Sequence, residues 1–282
     1  MLAGAKINLM LHVTGKRDDG YHLLQSLVMF AAFGDNVLLE PSQEFLLKTT
    51  GEFAGEVQGE NLIATASWAL ADACNLAPHG TITLEKNLPV GAGFGGGSSD
   101  AATAMELLAR HWNCNFSTSR LQHIATSIGS DIPACLQNAP LWMEGAGERI
   151  TPIFIPFDVP VLLVNPRKPL ATQSVYQNLT PPYAAPLSLP AGFVNLPDLV
   201  AFLYMSQNML EAPAKKIEPE IDRVIRGISE IPGCLISRMS GSGASCFGIF
   251  LSLNACEYAE KLLRESHPEW WVKSTLLRRS HG

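Results

Sequence analysis

The chain has 282 residues, 47% of them hydrophobic and 16% charged, and carries a formal net charge of −6. That balance describes a globular protein with a substantial core, excludes a disordered chain, and at this length suits two domains of ordinary size. The acidic surplus offers no general attraction to nucleic acid or to an acidic membrane, so a bound anion must be held locally by loop amides and a few placed cations.

Alternation over 5–13 predicts a half-buried strand, with Ile7, Leu9, Leu11 and Val13 on one face and Lys6, Asn8, Met10 and His12 on the other. The stretch from Lys16 to Gly20 reads as a turn. Short strands are predicted near 36–40, 44–49 and 80–86, and 61–75 has helix composition. After Pro89 comes the glycine-rich run GAGFGGG (91–97), which leads into a helix. Its buried face is read as Ala101, Ala104, Met105, Leu108 and Trp112, with Ser98, Ser99 and Asp100 as N-cap candidates. A second helix over 118–128 stops at Gly129.

Prolines punctuate the chain from about residue 153, which sets a boundary between domains 1–152 and 153–282. The second half reads as strand 160–165, a Pro-rich connection 181–197, helices 197–205 and 218–230, strands 234–239 and 244–251, helix 254–265 and strand 271–278. With the extra helix set aside, this is the ferredoxin-like order βαββαβ. The chain is therefore predicted to be α+β, a two-domain protein whose N-terminal half carries the glycine loop.

Cys74, Cys114, Cys135, Cys234, Cys246 and Cys256 show neither C-x-x-C nor metal-finger spacing, and reduced thiols in a cytoplasmic protein are expected. Lys6 and Asn8 interrupt the first apolar stretch, so no signal peptide is expected. No apolar run approaches the ~18 residues of a membrane span.

The run 91–97 formally fits three nucleotide motifs. Gly91, Gly93 and Gly96 satisfy G-x-G-x-x-G, but Asn87-Leu88-Pro89 separates them from the strand, and no acidic residue lies between Glu106 and Asp131. Gly91 and Gly96 have P-loop spacing, yet Gly97 stands where the lysine belongs. The H-R-D and D-F-G signatures of protein kinases are missing from the sequence. What remains is a glycine loop before a helix start. Such a loop lets several N–H groups converge on an oxyanion beside a favourable helix dipole.

The string PVGAGFGGGSSDAA (89–102) resembles the central ATP-binding motif of the GHMP kinases, the galactose, homoserine, mevalonate and phosphomevalonate kinases. AKINLMLHVTGKRDDGYHLL (5–24), GSDIPACL (129–136) and MSGSGASCFGIF (239–250) fit the same superfamily. They are most similar to its branch that phosphorylates a cytidyl-diphosphate sugar alcohol in the non-mevalonate route to isoprenoid precursors. The resemblance implies a GHMP fold with an ATP-binding N-terminal domain, ATP with Mg²⁺ as phosphoryl donor, and a soluble enzyme that is monomeric or weakly dimeric. It implies Lys6 and Asp131 as the catalytic pair, with the aspartate as base. It implies ATP contacts at Asn61, Lys86, Pro89, Gly91, Gly93, Gly95, Gly96, Gly97, Ser98 and Ser99. Substrate contacts are implied at Asn8, Tyr21, His22, Thr172, Tyr176, Ser240 and Gly241, with the rings of Tyr21 and Tyr176 enclosing the base.

Each of these residues also has a plainer reading. Lys6 and Lys86 would be surface lysines, Asp131 and Asn61 helix caps, Ser98 and Ser99 caps rather than holders of phosphate or Mg²⁺, and 240–243 a β-turn. Tyr21 and Tyr176 would be ordinary half-buried tyrosines. Two other functions stay open: another GHMP activity of the homoserine or mevalonate type, and a non-catalytic sensor of ATP and a metabolite.

Overall fold

A computed structural model describes residues 1–280. Two compact units divide the chain, each assembled from separate stretches. The first takes Met1–Lys6, Phe33–Val90 and Gly95–Asn138, and the second Ile7–Ala32, Gly91–Phe94 and Ala139–Gly282.

In the first unit, β1 (Leu2–Lys16) begins and β2 (His22–Glu40) ends. β3 (Phe45–Thr50), α1 (Leu62–Ala73) and β4 (Gly80–Glu85) form a β-α-β unit, because β3 and β4 are parallel and need a crossover. β4 pairs antiparallel with the end of β2, Val37 opposite Leu84. Three further helices follow: α2 (Gly96–His111), α3 (Thr118–Ile128) and α4 (Ile132–Gln137). The predicted face of α2 is buried, from Ala101 through Met105 and Leu108 to Trp112. Against it lie α1, with Ile63, Ala66 and Leu70 buried, and α4. Each large apolar side chain so buried stabilises the unit by about 1.5–3 kcal/mol.

α2 starts earlier than its sequence suggests. Gly95 is its N-cap in the left-handed conformation (φ 60°), and Gly96 and Gly97 are already helical. Ser98, Ser99 and Asp100 therefore stand in the first turns and cap nothing. Propensity misplaces this boundary because glycine is read as a helix breaker.

A second correction concerns the thiols: Cys74 and Cys114 form a disulfide, with a Cα–Cα distance of 6.2 Å. The packing of α1 on α2 brings their C-terminal ends together, which no local spacing reveals. The free cysteines are Cys135, Cys246 and Cys256, all buried, and the half-buried Cys234.

The second unit contains the rest of β1 and the first part of β2. Here β1 departs from its predicted half-burial: Met10 and His12 are as enclosed as Ile7, Leu9 and Val13. A hairpin of β5 (Leu141–Gly145) and β6 (Arg149–Pro152) pairs with β2 over Leu24–Val28. Then come β7 (Val159–Asn165), α5 (Thr172–Gln177), α6 (Leu196–Tyr204), α7 (Glu211–Ile217), α8 (Glu220–Ser229), β8 (Cys234–Met239), β9 (Cys246–Phe250), α9 (Leu253–Ser266) and β10 (Trp271–Leu277). The strands β10-β7-β9-β8 lie in that order with antiparallel neighbours, which is the ferredoxin-like arrangement. Ile221, Val224 and Ile228 of α8 and Cys256, Ala259 and Leu263 of α9 share one core with Leu162, Val164, Phe250 and Val272. Among the described residues no helix is long and apolar enough to cross a membrane.

Candidate active site

Lys6 of β1 and Asp131 meet in the first unit, Nζ 2.7 Å from Oδ1. The lysine side chain is 5% exposed and the aspartate 39%, so a buried ammonium faces a carboxylate that solvent can reach. Asp131 occupies the N-cap position of α4 yet makes no side-chain capping bond. The plain helix-cap reading therefore does not account for it. Gly95 lies directly on the lysine, since a Cβ there would stand 2.9 Å from Lys6 Cβ. The glycine at the head of α2 and the Lys6–Asp131 pair are thus in contact within one unit.

Behind that glycine is a second charged group. Lys86 is buried and donates to Asp35 and to Asp100 Oδ2, the latter at 2.9 Å. Asp35 Oδ1 also accepts from the amides of Asn87 (2.6 Å) and Leu88 (2.8 Å). Burial lowers the lysine, but the two carboxylates outweigh it and hold Lys86 above its ordinary value. One ammonium cannot compensate two buried carboxylates: burial pushes Asp100 up to about 8, with Lys86 opposing and Asp35 reinforcing the shift. Nearby, the buried Ser99 hydroxyl lies 3.4 Å from Cys135 Sγ, and burial pushes that thiol up to about 12. Ser98 is half-buried, and Asn61 Oδ1 caps α1 by accepting from Ile63 N at 2.9 Å.

In the second unit, residues 91–94 pack against the loop after β8. Ala92 O accepts from Ser245 N (3.0 Å), and Gly93 O accepts from Ser240 Oγ (3.3 Å). A Cβ on Gly93 would stand 2.6 Å from Gly243 O, so only glycine fits. Phe94 is buried beside Trp271, with ring centroids 5.9 Å apart. Ser240 Oγ also accepts from Asn8 N (3.1 Å), and Asn8 Nδ2 donates to Ser26 Oγ (2.8 Å). Asn208 Nδ2 holds Met239 O and Gly241 O, both at 2.8 Å. Thr172 and Ser242 share a hydroxyl contact of 2.8 Å. The His22 ring stacks on Tyr176 (5.0 Å, 26°) and meets Tyr183 edge-on. Burial, then the charge of Lys16, lowers the His22 pKa, which favours the neutral ring.

Two sequence profiles match this chain: the GHMP kinases N terminal domain over residues 61–138 and the GHMP kinases C terminal domain over 195–267. A protein of Chelativorans sp. (strain BNC1) named 4-diphosphocytidyl-2-C-methyl-D-erythritol kinase is 43% identical, across 99% of this chain and 96% of its own. The chain belongs to the GHMP kinases. A protein of the same name from Paramagnetospirillum magneticum (strain ATCC 700264 / AMB-1) is 42% identical over 96% of this GHMP kinase and 95% of its own length. The crystal structure of a 4-(cytidine 5'-diphospho)-2C-methyl-D-erythritol kinase superposes with a TM-score of 0.82 at 29% identity, covering 100% of this chain and 99% of that one.

This GHMP kinase brings some of the expected residues together and not others. Lys6 reaches Asp131, and the surface-lysine reading fails for Lys6 and Lys86 alike. Lys86 faces two internal carboxylates. Tyr21 is 64% exposed, and the ring stacked on Tyr176 is that of His22. The turn explains this, because Tyr21 N is tied to Asp19 Oδ1 and Tyr21 O accepts from Arg17 N, leaving the ring outside. Pro89 is buried, and Gly91 (φ 64°) is exposed.

Sequence reasoning missed Asp35, Ser26 and Asn208, and took Asp100 only for an N-cap candidate. A signal existed for Asp35, an acid inside an apolar strand pattern between Phe33 and Val37. Asn208 had none, since its partners are carbonyls 31 and 33 residues away.

Proposed function

We propose that this GHMP kinase transfers the γ-phosphoryl group of ATP to the 2-hydroxyl of 4-diphosphocytidyl-2-C-methyl-D-erythritol, giving ADP and the 2-phosphate. The observation that carries this reading is the Lys6–Asp131 pair, uncapped, partly open to solvent on the carboxylate side, and in contact with the glycine head of α2. The names of the relatives supply the acceptor.

In this reading the free amides of Gly95–Gly97 and the N-terminus of the 16-residue helix α2 hold the nucleotide phosphates. Asp131 accepts the proton of the acceptor hydroxyl as its oxygen bonds to the γ-phosphorus, while the bond from that phosphorus to the β,γ-bridging oxygen breaks and ADP leaves. The Lys6 ammonium orients the Asp131 carboxylate and offsets charge at the hydroxyl oxygen. Phosphoryl transfer asks chiefly for positioning and charge stabilisation, which suits so small a set of groups. The described residues contain no cluster of three or more His, Cys, Asp or Glu able to hold a metal by themselves. Mg²⁺ usually binds through substrate phosphates with few protein ligands, and it would enter here with ATP to neutralise phosphate charge. Of the two candidate serines, Ser99 already engages Cys135, which leaves Ser98 the freer hydroxyl.

His22, stacked on Tyr176, presents a neutral ring for the edge of a nucleobase. A site matched to cytosine discriminates against uracil, which replaces an amino donor with a carbonyl acceptor. The test is ADP release with the cytidyl substrate, its uridyl analogue and free methylerythritol, with homoserine and mevalonate alongside. A preference for the cytidyl compound is expected. Equal kcat/KM for the first three would refute the cytidyl assignment.

A further inference from the structure

The Asp35–Lys86–Asp100 cluster performs no step of the phosphoryl transfer, and its position suggests what it does. Asp35 Oδ1 fixes the amides of Asn87 and Leu88, just before the glycine loop, while its Oδ2 meets Lys86. Asp100 takes the same ammonium from within α2, just after the glycines. Between them lies Gly96, where a Cβ would stand 3.0 Å from Lys86 Nζ and 3.4 Å from Asp35 Oδ2. The ammonium is therefore packed against the backbone of the first helical residue.

As a device for stability alone the cluster is poor. Burying two carboxylates and one ammonium carries a desolvation penalty, and apolar residues of similar volume commonly hold such elements as firmly. Asp100 Oδ1 is moreover buried without a hydrogen-bond partner. What the cluster supplies is fixed geometry, because charge-assisted bonds set the separation between residues 86–88 and the first turn of α2.

We propose that Asp35 and Asp100 are positioning residues for the nucleotide, acting through Lys86 to hold the backbone of Gly95–Gly97 in its phosphate-binding shape. This rests on the reading of that segment as the phosphate site. The two carboxylates contribute unequally. Asp35→Asn keeps an acceptor for the amides of 87 and 88 but turns an NH₂ group toward the ammonium. Asp100→Asn keeps an acceptor for Lys86 and replaces only the ionisable carboxyl group.

The experiment uses the full chain and measures ATP Kd by calorimetry, kcat and acceptor KM at saturating ATP, and the melting temperature. Asp35→Asn is expected to weaken ATP binding about tenfold or more and Asp100→Asn about threefold, with kcat and acceptor KM within about twofold of wild type. A merely structural role would lower the melting temperature and leave ATP Kd of the folded variants at the wild-type value, which would overturn the proposal. If Asp35→Asn does not fold, Asp100→Asn decides, because it preserves the hydrogen bond to Lys86. A wild-type protein that fails to bind ATP would refute the kinase reading itself, and this inference with it.

Discussion

Replacing Asp131 with Asn separates chemistry from folding unusually well at this site. Asp131 caps no backbone amide, so the substitution removes no helix cap. Its amide oxygen can still accept from Lys6 across the 2.7 Å contact, and the change from a charge-assisted to a neutral acceptor should cost about 1 kcal/mol of stability. The lost function is proton acceptance, for which a reduction in kcat of about 10²–10⁴ is expected. That is about 3–5 kcal/mol on the barrier, several times the effect on folding. ATP Kd should move less than about twofold, since the amides of Gly95–Gly97 are untouched. Coupled ADP-release kinetics with the cytidyl acceptor and calorimetric titration of ATP measure the two effects separately. A variant that retains kcat within about threefold of wild type would remove Asp131 from the mechanism.

Gly97→Ala tests the phosphate site with little structural side effect. A Cβ there meets only Leu62 Cδ1 at 3.6 Å, and the residue is already helical, so stability should rise by about 0.5–1 kcal/mol while ATP affinity falls; unchanged affinity would dismiss the cradle. Gly96→Val is a poorer probe because its side chain would press on Lys86. Cys114→Ser opens a loop closed across a sequence separation of 40 and should cost about 4 kcal/mol, read as a lower melting temperature that reductant reproduces in the wild type; identical melting with and without reductant would contradict it. Tyr176→Ala removes the surface on which His22 stacks and should raise acceptor KM by about one to two decades with ATP Kd unchanged.

Asp100 gives a pH prediction. Its folded pKa of about 8 lies above the ordinary carboxylate value of 3.8, so the folded state keeps a proton that the unfolded chain has released. Stability from this group is complete below the unfolded value and is lost as pH rises through about 8. Urea midpoints from pH 5 to 9 should therefore fall in the wild type relative to Asp100→Asn, whose curve lacks this component. Parallel curves would refute the assignment.

The C-terminal strands and helices were legible because each carries a clear period, and their sequence order alone implied the sheet order β10-β7-β9-β8. The first part of β2 was not legible, because residues buried on both faces show no alternation. The same effect hid the true environment of β1, where His12 is as enclosed as Leu11. Short helices such as α4 and α5 span too few residues for periodicity to register. At the site, Lys6 and Asp131 were legible through motif resemblance, and neither spacing nor composition joins residues so far apart in the chain. The partners of Lys86 were hidden for another reason. Charged residues are normally read as surface, so neither Asp35, despite its apolar flanks, nor Asp100 beside the glycine loop was read as buried.

The chain passes from one unit to the other at residues 6–7, 32–33, 90–91, 94–95 and 138–139. During synthesis, every residue of the first unit has left the ribosome once Asn138 emerges, whereas the second unit waits for β10, whose strand pairs with β7 and with Ala31 of β2. Residues 7–32 therefore spend most of translation without their later partners, and they include the long apolar run from Leu27 to Ala31. A nascent chain with such an exposed segment is a natural client for chaperones, and one prone to aggregate when they are saturated. Truncation from the C-terminal side removes only second-unit strands and helices, so yield in expression should depend sharply on the last few strands, including those remote from the chemistry.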